Sequence, residues 1–145
     1  MLRVRDLRQY QRLLLSGVAV GEGAGRATGL HHIQLAMPPG EEEAAVKFYG
    51  YLLGMRQIDK PPDLAPRGGV WFRDGAFEVH LGVEESFRPA HKAHPAFLVD
   101  DLEKLRVRLE AAGIRVDDDP VQLEGFHRCY VRDPFGNRIE LIEPV

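Results

Sequence analysis

The sequence predicts an α+β fold: two βαβββ modules forming a curved mixed sheet around a central cleft, with the helices on the outer face. Three observations predict it. From residue 30 onward the apolar pattern runs strand, helix, three strands, and then does so again. One helical stretch per half ends on a glycine, Gly54 and then Gly113. The halves also match at their first and last strands, because the spacing from His32 to His94 equals that from Glu78 to Glu140.

Each element follows in order. Leu30 to Met37 alternates, with His32, Gln34 and Ala36 on one face and His31, Ile33, Leu35 and Met37 on the other. Pro38-Pro39-Gly40 ends that strand. Glu41 to Leu53 reads as a helix with acids in its first turn and a buried stripe of Ala45, Phe48, Leu52 and Met55. Short strands follow at Met55–Ile58 and Gly69–Arg73, and Asp74-Gly75 turns the chain into Ala76–Val83. The second half has a strand from His94 to Val99. Asp100 then caps a helix, with Glu103 completing the capping box and Leu102, Leu105, Leu109 and Ala112 as its apolar stripe. Ile114–Val116, His127–Arg132 and Asn137–Glu143 are the last strands, with a turn at Asp133-Pro-Phe-Gly-Asn137.

These elements set the domain organisation. Module one spans 29–83, a polar linker containing Pro89 covers 84–92, and module two spans 93–145. Residues 1–28 read as a flexible leader. Arg3, Arg5, Arg8 and Arg12 precede Leu13 to Leu15, but Ser16 and Gly17 break the apolar run, so it fits an export signal poorly. With 145 residues, one domain can bury an adequate core. A net charge of −3 with 28% charged residues gives no electrostatic reason for a nucleic acid or membrane partner. Cys129 is the single cysteine, so no internal disulfide forms, and a reducing cytoplasm suits the chain.

The repeat places four ligand-type residues in equivalent positions. Val79 and Leu141 belong to the strand faces that the helices cover, so Glu78 and Glu140 point the opposite way, as do His32 and His94 if their faces line the cleft. A buried carboxylate is costly unless it is paired or bound to a cation. Two imidazoles and two carboxylates suit Ni²⁺, Zn²⁺, Fe²⁺, Co²⁺ or Mn²⁺. His80 shares the strand face of Glu78 and competes with it for that role. His127 opens a strand and can reach the cleft.

At these residues the chain resembles the vicinal-oxygen-chelate superfamily, which includes glyoxalases, bleomycin-resistance proteins and extradiol dioxygenases. The resemblance rests on Leu30-His-His-Ile-Gln-Leu-Ala-Met37, Phe48-Tyr-Gly-Tyr-Leu-Leu-Gly-Met55, His94-Pro-Ala-Phe-Leu-Val-Asp-Asp-Leu102 and Asp133-Pro-Phe-Gly-Asn-Arg-Ile-Glu-Leu141. It implies a divalent metal held by His32, Glu78, His94 and Glu140, with Glu140 or Glu78 also acting as general base in a lyase or isomerase reaction on a small oxygenated metabolite. It equally admits a metal-free drug-binding protein, or a dioxygenase-like or thiol-transferase member. It further implies a homodimer, since some members complete each site across two chains.

Bland roles account for the remaining candidates. His31 falls on the apolar face as a core or edge histidine, and His91 is solvated in the linker. Cys129 is a small buried hydrophobe, and Trp71, Phe72 and Tyr130 belong to the sheet core, where any that falls on the inner face shapes the substrate cavity. Arg73 and Arg132, each before an aspartate, stabilise turns.

Overall fold

A computed structural model describes residues 25–75 and 77–145. Residues 1–24 of the expected leader, and Ala76, lie outside them. Residues 25–31 are irregular and exposed, and regular structure begins with β1 at His32–Met37.

Each module forms its own four-stranded sheet. In module one, β1 is followed by a helical segment and then β2 (Arg56–Ile58), β3 (Val70–Asp74) and β4 (Phe77–Val83). The order across the sheet is β1-β4-β3-β2, with β1 and β4 parallel and the other pairs antiparallel. Module two repeats it with β5 (Ala96–Leu98), β6 (Asp117–Asp118), β7 (Phe126–Arg132) and β8 (Arg138–Pro144), ordered β5-β8-β7-β6. The α+β class and the repeat therefore stand, but the strands form two separate sheets and not one continuous one.

Three local expectations are corrected. The helix expected over Glu41–Leu53 is a single α-turn, α1 (Glu42–Ala45), running into a π-helix, Val46–Leu52. Leu53 N–H donates to the Phe48 carbonyl at 2.9 Å, five residues back. Its buried side chains, Phe48 and Tyr49, are sequence neighbours, which an α-helical turn of about 100° per residue would send to diverging faces. The second helix, α2 (Leu102–Ala111), is capped by Asp101 and not Asp100: Asp101 Oδ1 accepts from Lys104 N at 2.9 Å. The strand expected at Ile114–Val116 begins later, at Asp117, because Ile114 belongs to the helix end. Its N–H donates to the Leu109 carbonyl at 2.9 Å beyond Gly113, whose φ is 80°.

The modules share one apolar core. It gathers Phe48, Tyr49, Phe72, Val79 and Leu81 from module one with Phe97, Leu105, Leu109, Val131 and Leu141 from module two. Phe77 and Phe97 stack across the junction with centroids 5.8 Å apart. Inside this core lies a carboxylate. Asp133 Oδ1 accepts from the backbone N–H groups of Phe135 (2.9 Å) and Asn137 (2.8 Å). Its Oδ2 accepts from Tyr49 Oη at 2.7 Å and Asn137 Nδ2 at 2.8 Å. Asn137 Nδ2 also donates to the Ala36 carbonyl at 2.9 Å, so the turn before β8 is tied to β1 and to the π-helix. Burial pushes the Asp133 carboxyl above its ordinary range, and its four hydrogen bonds pull back only part of the way.

One prediction follows from this arrangement. Tyr49→Phe keeps the ring but removes a charge-assisted donor from a buried carboxylate. We expect it to lower the free energy of unfolding by about 1.5–3 kcal/mol. Urea denaturation of the two proteins measures this, and an unchanged midpoint would show that the bond contributes nothing net.

Candidate functional site

Opposite the shared core, each sheet has a second face carrying the candidate residues. Strand alternation puts them there. In β4, Val79 and Leu81 go to the core while Glu78 and His80 take the other side, and in β8, Ile139 and Leu141 go to the core while Arg138 and Glu140 take the other side. As central strands, β4 and β8 keep even these polar residues largely covered: Glu78, His80 and Glu140 are all buried.

In module one, His32 on β1 stands beside Glu78 in the strand register. Glu78 is held on both oxygens. Arg73, directly opposite on β3, donates to Oε1 through Nε at 3.0 Å and through Nη2, and His80 Nε2 lies 2.8 Å from Oε2. Hydrogen bonding from Arg73, and next from His80, holds the Glu78 carboxyl down to about 2. Burial lowers the basicity of His80 and keeps it neutral, so its Nε2–H donates to Glu78. The imidazole of His80 is sandwiched between Trp71, with centroids 3.7 Å apart and rings parallel, and His32, at 4.2 Å. His32 is exposed and also contacts His31 through the two Nδ1 atoms at 2.9 Å.

In module two, His94 precedes β5 and meets Glu140. His94 Nδ1 lies 2.6 Å from the Lys92 carbonyl, which can only accept, so Nδ1 carries a proton. His94 Nε2 faces Glu140 Oε2 at 3.1 Å. In a neutral imidazole these are two acceptors facing each other, a contact that needs a cation or a second proton between them. Glu140 Oε1 accepts from Arg128 Nη1 at 3.2 Å. Arg128 is itself fixed, since Nη1 also meets Tyr130 Oη at 3.2 Å and Nη2 donates to Asp119 Oδ2 and to the Val121 carbonyl, each at 2.8 Å. Its Nε is buried and has no hydrogen-bond partner among the described residues. Arg138 lies over the Tyr130 ring at 3.9 Å.

The structure thus brings the four predicted ligands together in pairs, His32 with Glu78 and His94 with Glu140. Among the described residues no three His, Cys, Asp or Glu side chains come together in a group able to hold a metal ion. In kind the donor set fits a divalent cation, and bonds of roughly 2.1 Å to nitrogen and oxygen would separate two adjacent ligands by about 3 Å, as His94 and Glu140 are. A groove of about 430 Å³ runs beside His94, lined also by Gln34, Ala36, Phe87, Arg88 and Arg138.

Other expectations are revised. His80 contacts Glu78 Oε2 through Nε2. His31 is exposed and not in the core, and His127 is exposed on β7. Cys129 is fully buried, and burial lifts its thiol to about 11, so it is inert as expected. Trp71 and Tyr130 lie on the faces that carry Glu78 and Glu140, the inner faces of the expectation, while Phe72 alone of the three is core. Arg132 does brace its turn, donating to the Gly136 carbonyl at 2.8 Å, but Arg73 serves Glu78. The two arginines that neutralise the carboxylates were missed. For Arg73 a signal existed: a tight turn at Gly75 sets residue 73 across from 78, and opposite charges there attract.

The model of the Glyoxalase/Bleomycin resistance protein/Dioxygenase superfamily matches residues 29–141. Among solved structures, a glyoxalase family protein from Bacillus anthracis is 46% identical with a TM-score of 0.79, over 83% of this chain and 98% of that one. Lactoylglutathione lyase from Agrobacterium tumefaciens is 25% identical with a TM-score of 0.62, over 82% and 96%. A glyoxalase/dioxygenase from Nostoc punctiforme shares the fold at 22% identity with a TM-score of 0.70, over 89% and 99%. Among curated proteins no relative matches. No described helix is long and apolar enough to cross a membrane.

The geometry yields a pH prediction. Glu78 has a folded pKa of about 2, below its ordinary 4.5, so its pairing stabilises the fold fully above pH 4.5. That stability is lost as pH falls from 4.5 towards 2. Melting temperatures recorded across this window should fall less steeply for Glu78→Gln than for the parent, and parallel curves would contradict the assignment.

Proposed function

The chain belongs to the Glyoxalase/Bleomycin resistance protein/Dioxygenase superfamily, and from that premise we propose that it is a divalent-metal-dependent lyase or isomerase acting on a small oxygenated metabolite. The observation that carries this reading is the 3.1 Å contact between His94 Nε2 and Glu140 Oε2, with the other ring nitrogen of His94 turned to a backbone carbonyl. That backbone hydrogen bond is what metal-binding histidines make, because it fixes the tautomer and turns the free lone pair towards the cation.

His32, Glu78, His94 and Glu140 are the residues that would hold the ion. Since one chain supplies them as two pairs, the reading includes a homodimer in which module one of one chain meets module two of the other. Leu98 favours a partner there: it is 70% exposed on β5, on the strand face that also carries His94 and Ala96. When bound, such an ion acts as a Lewis acid that stabilises negative charge on adjacent substrate oxygens. The chain's own groups do the rest. Glu140, oriented by Arg128, or Glu78, oriented by His80, accepts the substrate proton. While Arg73 stays on Glu78, that carboxylate is a weak base, which favours Glu140 for the role. Trp71 and Tyr130 form apolar walls.

A second reading has its own observation. Both oxygens of Glu78 and Oε1 of Glu140 have hydrogen-bond donors without any metal, which suits a metal-free protein that binds a planar small molecule against Trp71 or Tyr130.

Metal content and complementation test both. Protein purified without chelator should hold one divalent ion per chain, and His32→Ala and His94→Ala should each abolish binding. Mixing and refolding those two variants should restore about a quarter of the parent metal content, because half the dimers then contain one intact composite site. No recovery on mixing would place each site within one chain, and ligand affinity unaffected by chelator in a metal-free parent would select the second reading.

A further inference from the structure

The ligand-bearing faces are rich in arginine although the chain is net negative. Arg56 and Arg73 in module one, and Arg128, Arg132 and Arg138 in module two, share those faces by strand register with Glu78, Glu140 and Asp117. The two arginines on the carboxylates differ in how they are held. Arg128, 14% exposed at the side chain, is tied to Asp119, the Val121 carbonyl and Tyr130 as well as to Glu140, so it stays in place whatever Glu140 binds. Arg73 is 46% exposed at the side chain, and among the described residues its hydrogen bonds go to Glu78 alone. On the other oxygen of Glu78, His80 is locked between two rings and cannot swing away.

We propose that Arg73 is a displaceable latch on Glu78 and that, once released, it binds the anionic group of the substrate, which is accordingly a small carboxylate bearing a neighbouring oxygen. The inference rests on the metal-dependent reading of the same site. Oε1 of Glu78 already accepts from both Nε and Nη2 of Arg73, so a divalent ion that binds through Oε1 displaces the guanidinium, and repulsion between the two cations adds to the exchange. Arg73 then has lost its one hydrogen-bond partner among the described residues, on the rim of the site, beside Arg56. Releasing the guanidinium and adding a divalent charge makes the empty site strongly cationic. An anionic ligand restores the balance, and a guanidinium fork matches a carboxylate in two parallel hydrogen bonds. A neutral substrate would leave that charge uncompensated.

Calorimetric titration of the full chain with Ni²⁺, and of the Ni²⁺-loaded chain with glycolate as a two-carbon hydroxycarboxylate probe, tests the inference. Arg73→Met removes the competitor for Glu78, so Ni²⁺ affinity should rise about tenfold or more, while glycolate affinity should fall about tenfold. Arg73→Lys, which keeps the charge but not the fork, should fall between the two proteins in both titrations. Lys47→Met, a charge-matched change in the helical segment, should alter neither. Ni²⁺ affinity unchanged or weakened in Arg73→Met overturns the latch, and glycolate affinity unchanged overturns the anion site, while parent Ni²⁺ binding keeps the metal reading intact. Absence of Ni²⁺ binding in the parent and in Arg73→Met rejects the metal reading, and this inference with it.

Discussion

Asp133 brings a carboxylate into an apolar core, and the two modules are positioned by what that carboxylate requires. Taking an ionised group out of water is tolerable only when fixed donors replace the lost hydration. Four donors do so here, and they come from different parts of the chain: Tyr49 from the π-helix of module one, and Phe135 N, Asn137 N and Asn137 Nδ2 from the turn itself. Because Asn137 also reaches the Ala36 carbonyl, satisfying Asp133 places β8 relative to β1. The register of β8 then carries Glu140 to its place opposite Tyr130, beside His94.

The same rule, that buried charge must be compensated, governs the candidate site in another way. Glu78 and Glu140 sit on central strands where neighbouring side chains cover them. Each is compensated by an arginine from the adjacent antiparallel strand, and Glu78 also by His80. The two compensations differ in how they are held. Arg128 belongs to a network with Asp119 and Tyr130, whereas among the described residues Arg73 bonds to Glu78 alone. The two carboxylates are therefore in chemically different surroundings although they occupy equivalent positions in the repeat.

Much of the fold was legible because alternation and repeat spacing are local properties. The strand faces of β1, β4 and β8 came out as read, and so did the opposed directions of Val79 and Glu78. The helix at Glu41–Leu53 was less legible. No periodicity count anticipates the π-helix over Val46–Leu52, which buries the adjacent rings of Phe48 and Tyr49. Asp100 and Asp101 each satisfy the capping pattern on paper, and where the chain leaves β5 decides between them. His80 matched Glu78 in strand face, but its ring stack with Trp71 and His32 comes only from the tertiary structure.

What the sequence determined by itself was the α+β class, the βαβββ repeat and the residue types His32, Glu78, His94 and Glu140 at equivalent positions, because strand parity and internal repetition are written in residue order. Only the tertiary structure decided that these four come as two pairs, that Arg73 and Arg128 neutralise the carboxylates, and that the strands form two sheets around one core. Those outcomes depend on contacts between residues far apart in the chain, and on the requirement that every buried charge find its partner in three dimensions.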